Sequence, residues 1–135
     1  INSVGLLEEK YFLNWEEMDW AHRAKRLGYD SFIVPQAKVW HKGAVSFENG
    51  RDGPLWNYYM WRNRMLWMER NFPLPERLTL YPHLLKPIYY QVKSLLNPWG
   101  TRENKVRSSA ALRGLADYFL RRFGPAPPAL ICRSR

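Results

Sequence analysis

Cysteine is nearly absent from this chain, and so is any long apolar run. The only thiol among the 135 residues is Cys132, so neither an intrachain disulfide nor a cysteine-based zinc site can form. Such cysteine usage is typical of a reducing compartment. The sequence also lacks a stretch of about 18 consecutive apolar residues, the length that a membrane-spanning helix requires. We therefore expect a cytoplasmic protein.

Acidic residues are scarce in the second part of the chain. Residues 54–135 carry four acids and fourteen bases, for a net charge of +10, whereas residues 1–53 carry eight acids and seven bases, for −1. This asymmetry indicates a site followed by a basic binding or docking region. Nucleic acid, anionic lipid headgroups and a phosphorylated substrate are the candidate partners of that region.

The composition is that of a folded chain. Apolar residues make up 46% of the sequence, with seven Trp and eight Tyr, which excludes a disordered composition. The length fits one domain or part of a larger one, and the first residue, Ile1, leads us to expect a piece of a longer protein. We divide it into residues 1–72, a basic helical extension at 73–123, and a flexible tail at 124–135.

The pattern of apolar residues predicts an α/β fragment, in which one helix and short strands precede C-terminal helices. The predicted elements are a helix at 16–28 capped by Gly28, strands at 29–34 and 38–41, a long helix at 55–71 that follows Pro54, one kinked or two short helices at 77–96, and a last helix at 106–123.

Three carboxylates, those of Glu16, Glu17 and Asp19, lie together at the predicted start of the first helix. Acids in a first helical turn stabilise the exposed amides, so capping is one interpretation. Clustered carboxylates are also what a general-base or divalent-metal site needs. The residues alone leave these two interpretations open.

His41 ends the second predicted strand. A histidine in such a position is usually a surface or hydrogen-bonded residue, although neutral imidazole is also a good ligand for Mn²⁺ beside carboxylate oxygens. His22 and His83 have no acidic neighbours in sequence, and we interpret both as structural.

Several ordered motifs resemble the C-terminal half of family 2 glycosyltransferases, and the rhamnosyltransferase-like members of bacterial polysaccharide synthesis most of all. The motifs that carry the resemblance lie at residues 5–12, 15–20, 23–29, 35–41, 58–64 and 111–117. They match a Glu-Asp-x-Asp helix, a Pro-x-Ala-x-Val-x-His strand and a Tyr-Tyr-x-x-Arg-Asn-Arg helix of that family. The match is dense over residues 5–72 and looser over 73–123.

The resemblance implies the C-terminal, acceptor-side part of a GT-A-type domain. In that fold a nucleotide-sugar-binding half comes first, and its Asp-x-Asp holds Mg²⁺ or Mn²⁺ on the diphosphate. This sequence has no Asp-x-Asp and no Gly-rich phosphate loop. We therefore expect a nucleotide-sugar donor and a glycan or lipid-linked acceptor for the longer protein, and no sugar transfer by the isolated chain.

The resemblance also assigns roles to the acidic cluster. Glu17 matches the base that deprotonates the acceptor hydroxyl, although Asp is the commoner residue there. Glu16 and Asp19 match the acids on either side of it, and His41 matches a histidine that completes metal coordination.

Four further residues are candidates for substrate binding. Trp15 and Trp20 flank the acids, and Arg62 and Arg64 lie in the long helix, where an Arg fork suits a phosphate. A core-facing aromatic stripe with solvated Arg is the alternative interpretation of that helix.

The basic segment at 77–96 combines Lys86 and Lys93 with Tyr81, Tyr89 and Tyr90. It fits either packing on the catalytic domain or a peripheral contact with the cytoplasmic face of a membrane. A nucleic-acid module and a membrane-docking module remain alternatives to the transferase. No known nucleic-acid motif is present, and we expect no nucleic-acid partner.

Overall fold

The computed structural model describes residues 2–40 and 53–131, and this part of the chain is helical. A 3₁₀ turn at Glu9–Tyr11 precedes six helices: α1 (Glu16–Arg26), α2 (Pro54–Asn71), α3 (Leu74–Leu80), α4 (Pro82–Leu96), α5 (Arg102–Phe119) and α6 (Pro128–Ile131). No helix in these ranges is long and apolar enough to cross a membrane.

The predicted α/β fold is wrong for the described residues, which contain no strand. Residues 29–34 and 38–40 have the β-branched and aromatic composition of strands, yet Phe32, Ile33, Val39 and Trp40 are between 83 and 94% exposed. β propensity reflects packing against neighbouring strands. Within the described ranges no strand lies beside these segments, so they have no neighbouring strand to pair with.

The helix predictions agree with the structure more closely. The first helix begins at Glu16 as predicted and is followed by Gly28, whose φ of +87° suits a helix end. Pro54 occupies the first position of α2, and the segment at 77–96 divides at Tyr81 into α3 and α4. The last long helix begins at Arg102, four residues before its predicted start.

Helices α2 and α5 pack along one another and form the centre of the molecule, with α4 against α5 and α1 against α2. One group of buried residues comprises Tyr11, Met65, Leu66, Met68, Leu84 and Tyr118. A second comprises Tyr58, Tyr59, Ala110 and Ala126. The helices α2 and α5 approach closely at Gly114, where a methyl group would lie 2.2 Å from the carbonyl oxygen of Tyr58.

Candidate functional site: an acidic corner at the start of α1

The chain enters α1 through a strained turn. Phe12, Asn14 and Trp15 have φ values of 62°, 67° and 76°, a region that side-chain-bearing residues other than Asn rarely adopt. Each such residue costs of order 1 kcal/mol or more, so the surrounding structure must hold the turn in place.

Asn63 of α2 supplies part of that support. Its Nδ2 donates to the carbonyl oxygens of Tyr11 at 2.9 Å, Leu13 at 2.7 Å and Asn14 at 3.0 Å. The Tyr11 carbonyl also accepts from the backbone N–H of Leu13 at 2.7 Å, and Asn63 extends the support to the carbonyl oxygens of Leu13 and Asn14. A side chain in the middle of α2 therefore fixes the path of the chain into α1.

Arg62 completes the support from the neighbouring position. Its guanidinium is fully buried and donates to the carbonyl oxygens of Tyr11 at 2.8 Å, Lys10 at 3.2 Å and Gly124 at 2.7 Å. It also lies 4.9 Å from the ring centroid of Tyr59, a cation–π contact. Arg62, predicted to bind substrate, is thus engaged with the protein interior, whereas Arg64 is exposed at the surface.

Asp19 lies on the buried side of α1 and accepts four hydrogen bonds. They come from Tyr11 Oη at 3.0 Å, Arg23 Nε at 2.9 Å, Arg70 Nε at 3.2 Å and Asn71 Nδ2 at 2.8 Å. Asp19 therefore joins α1 to the end of α2 and to the 3₁₀ turn.

The hydrogen bonds decide the protonation state of Asp19. Burial alone would raise the pKa of this carboxyl, but the donors Asn71, Arg23 and Tyr11 and the charge of Arg70 outweigh it and hold the pKa below its usual value. Three of the four donors bind Oδ1 and the Arg23 guanidinium binds Oδ2, and the side chain is fully buried. Its geometry is that of a residue that positions α1.

Glu16 and Glu17 lie in a different setting. Glu17 is exposed, while Glu16 is half-buried and its Oε2 is buried with no hydrogen-bond partner in the part of the chain that the structure describes. Burial raises the pKa of Glu16, a backbone hydrogen bond opposes this, and the charge of Glu17 adds to it. With its raised pKa, the Glu16 carboxyl is better suited to accept a proton than Asp19 is.

Trp15, the residue before Glu16, contacts a second indole on α2. The ring centroids of Trp15 and Trp67 lie 5.4 Å apart, and Trp67 also contacts His22 and Phe72. Both indole Nε1 atoms are buried without an acceptor among the described residues. Because buried indole N–H groups are usually hydrogen-bonded, the start of α1 combines a carboxyl pair with two donors that have no protein acceptor in the described ranges.

Trp20, the other predicted substrate-binding tryptophan, is engaged in the fold. Its Nε1 donates to the carbonyl oxygen of Gly5 at 2.9 Å, and Arg23 holds the carbonyl oxygen of Leu6 at 2.7 Å. These contacts attach the N-terminal segment to α1. Only Trp15 of the two lies beside the Trp67 ring.

The predicted metal site is not assembled by the described residues. Within 2–40 and 53–131, no group of three His, Cys, Asp or Glu side chains is placed to hold a metal ion. The oxygens of Asp19 are occupied by donors, and His41 lies outside the described residues, so its role as a ligand stays a prediction. The donor set in hand does not fit Mg²⁺ or Mn²⁺ by itself.

Sequence reasoning missed several residues that build this corner, namely Tyr11, Asn63, Arg70 and Asn71. The adjacent polar pair at 62–63 inside a run of aromatic and apolar residues was the available signal, since such groups are rarely buried without partners. Nothing in the sequence around Asn71 distinguishes it from an ordinary helix C-terminus.

Comparison of the chain with protein-family models, with curated proteins and with solved structures finds no match. The interpretation of the acidic corner accordingly depends on its motifs and its geometry.

Proposed function

We propose that this chain is the acceptor-side part of an inverting glycosyltransferase, with Glu17 as the base. The observation that carries the proposal is the exposed carboxylate of Glu17 in the first turn of α1, next in sequence to the half-buried Glu16. An exposed carboxylate is accessible to an acceptor hydroxyl. Burial raises the pKa of the neighbouring Glu16 carboxyl.

In the proposed reaction, the acceptor hydroxyl donates its proton to the Glu17 carboxylate. The resulting nucleophilic oxygen attacks the anomeric carbon of the donor sugar, and the bond from that carbon to the nucleoside diphosphate breaks. Attack opposite the leaving diphosphate inverts the anomeric configuration. A positioned base contributes roughly 10²- to 10⁴-fold to such a step.

In this proposal the Trp15 and Trp67 rings and their indole N–H groups bind the acceptor sugar. A pyranose presents an apolar face and a rim of hydroxyl groups, so an indole pair and an unpaired indole N–H suit it. Trp15 and Trp67 contact the acceptor sugar in this proposal, and Glu16 accepts one of its hydroxyl hydrogens. Arg62, Asn63 and Asp19 keep the turn and the helix start in place, which preserves the orientation of the base.

The stereochemistry of transfer tests the proposal. A protein that carries this chain together with a nucleotide-binding half is incubated with glycan acceptors and a panel of nucleotide sugars, deoxythymidine-diphosphate rhamnose among them. We expect transfer with inversion, because a single in-line displacement has no covalent intermediate. The anomeric proton coupling of the product, measured by NMR, reports the configuration. Retention of configuration, or no transfer from any donor, would contradict the proposal.

A further inference from the structure

Helix α4 carries an apolar stripe that does not face the protein core. Leu85, Tyr89, Val92 and Leu96 recur at steps of four, three and four residues, which places them on one side of the helix. They are 66, 58, 38 and 73% exposed, respectively. The face of α4 that contacts the core is a different one, formed around Leu84 and Ile88.

Two further apolar side chains adjacent to α4 in sequence are also exposed. Leu78 of α3, seven residues before Leu85, is 59% exposed, and Trp99, just past the helix, is 91% exposed. A shallow groove between Tyr89, Val92, Lys93, Leu96 and Asn97 opens along the same side. With α4 about 22 Å long at 1.5 Å per residue, the exposed apolar face is an extended surface.

A second stripe of α4 is basic and aromatic. Lys86, Tyr90 and Lys93 recur at steps of four and three residues beside the apolar stripe, and all three are exposed. Between Arg77 and Arg102 the sequence has four Lys or Arg residues and no Asp or Glu. The segment that contains α4 therefore has a net charge of +4.

The combination of an apolar stripe and a basic stripe on α4 indicates which kind of surface binds there. The cores of protein–protein interfaces are depleted in Lys, whereas a bilayer interface accepts Lys side chains that extend toward the phosphates and favours Tyr and Trp at headgroup level. Acid-free basic segments beside apolar side chains are attracted to anionic lipid. We infer that the apolar and basic stripes of α4, with Leu78 and Trp99, form a docking surface for an anionic membrane.

In this arrangement α4 lies parallel to the bilayer. Leu85, Val92 and Leu96 enter the boundary between headgroups and acyl chains, and Lys86 and Lys93 contact lipid phosphates. The inference does not depend on the proposed transferase activity, although such a surface would bring a lipid-linked acceptor to the enzyme.

Vesicle co-sedimentation of the 135-residue chain tests the inference. The vesicles contain phosphatidylcholine alone or phosphatidylcholine with about one third phosphatidylserine. We expect binding to the anionic vesicles, and we expect Lys86→Gln/Lys93→Gln to weaken it roughly thirtyfold, from about fivefold per charge at the surface. Leu85→Ser/Leu96→Ser should weaken it as well, and because both leucines are exposed, the fold should persist by circular dichroism.

The matched control removes two charges elsewhere. Arg26 and Lys38 are exposed and lie outside α4, so Arg26→Gln/Lys38→Gln lowers the net charge equally and should change the affinity less than threefold. An equal loss in the control and in the lysine pair would overturn the inference, since binding would then follow net charge alone. It would also be overturned by self-association, seen in sedimentation velocity, or by RNA binding that the α4 substitutions abolish while vesicle binding is absent.

Discussion

Replacing Asp19 with asparagine is expected to lower the free energy of unfolding by about 3 kcal/mol, the cost of removing one partner from a buried ion pair. The side chain keeps its volume, so no cavity contributes. One carboxylate oxygen becomes an NH₂ group, which faces either the Arg23 donor at Oδ2 or the Asn71 donor at Oδ1 instead of accepting from it. Urea unfolding monitored by circular dichroism measures the difference.

The difference in unfolding free energy between the wild type and Asp19→Asn should depend on pH in a defined direction. Because the folded-state pKa of Asp19 lies below its ordinary value of 3.8, its ionised form stabilises the fold at any pH above that value. This stabilisation is lost as the pH falls through 3.8 toward the folded-state pKa. The wild type and Asp19→Asn should therefore differ by a constant amount between pH 7 and pH 5, and the gap should narrow below about pH 4.

Asp30 provides the matched control for this prediction. It pairs with Lys25 at the surface, where both side chains are mostly exposed. Exposed pairs contribute little to stability, so Asp30→Asn should leave the unfolding curve nearly unchanged. A similar loss of stability in both variants would contradict the role of Asp19 as the buried junction of α1 and α2.

Replacing Gly114 with alanine is expected to destabilise the fold by about 3 kcal/mol, at the upper end of the usual cost of overpacking. The added methyl would lie 2.2 Å from the Tyr58 carbonyl oxygen and 3.2 Å from the Arg62 amide nitrogen. Both are backbone atoms, so no side-chain rotation relieves the contact. The helices α2 and α5 must move apart, and the hydrogen bond of 3.0 Å from Tyr58 Oη to Asp117 is strained with them.

A neighbouring position on the same helix is the control. Ser109 is exposed on α5, and Ser109→Ala improves helix propensity without touching α2. We expect the unfolding midpoint to stay the same or rise slightly in that variant, and to fall by several degrees or more in Gly114→Ala. Equal midpoints for Gly114→Ala and the wild type would mean that α2 and α5 do not approach as closely as described.

The helices were predictable because their signals are local. An acidic first turn, a glycine after the last turn and a proline at the first position define α1 and α2 through neighbouring residues alone. The strands were not predictable in the same way. Residues 29–34 and 38–40 have the composition of strands, but whether such a segment joins a sheet depends on a partner from elsewhere, and the described residues provide none.

The candidate site was likewise predictable only in its local features. The sequence grouped Glu16, Glu17 and Asp19, since they share one helical turn. It did not separate their environments, because the difference comes from Asn71 and Arg70, more than fifty residues away. Arg62 was expected at a substrate, whereas the structure places it on carbonyl oxygens of the turn before α1. Long-range hydrogen bonds of this kind leave no periodic pattern in a sequence.

The most direct test replaces Glu17 with glutamine in a protein that carries this chain together with a nucleotide-binding half. Sugar transfer and nucleotide-sugar binding are then measured in one preparation. We expect the transfer rate to fall by roughly two to four orders of magnitude, the contribution of a general base, while the donor binds as tightly as before. Glu9→Gln, another exposed glutamate that precedes α1, should transfer at the wild-type rate. Unimpaired transfer by the Glu17 variant would contradict the account.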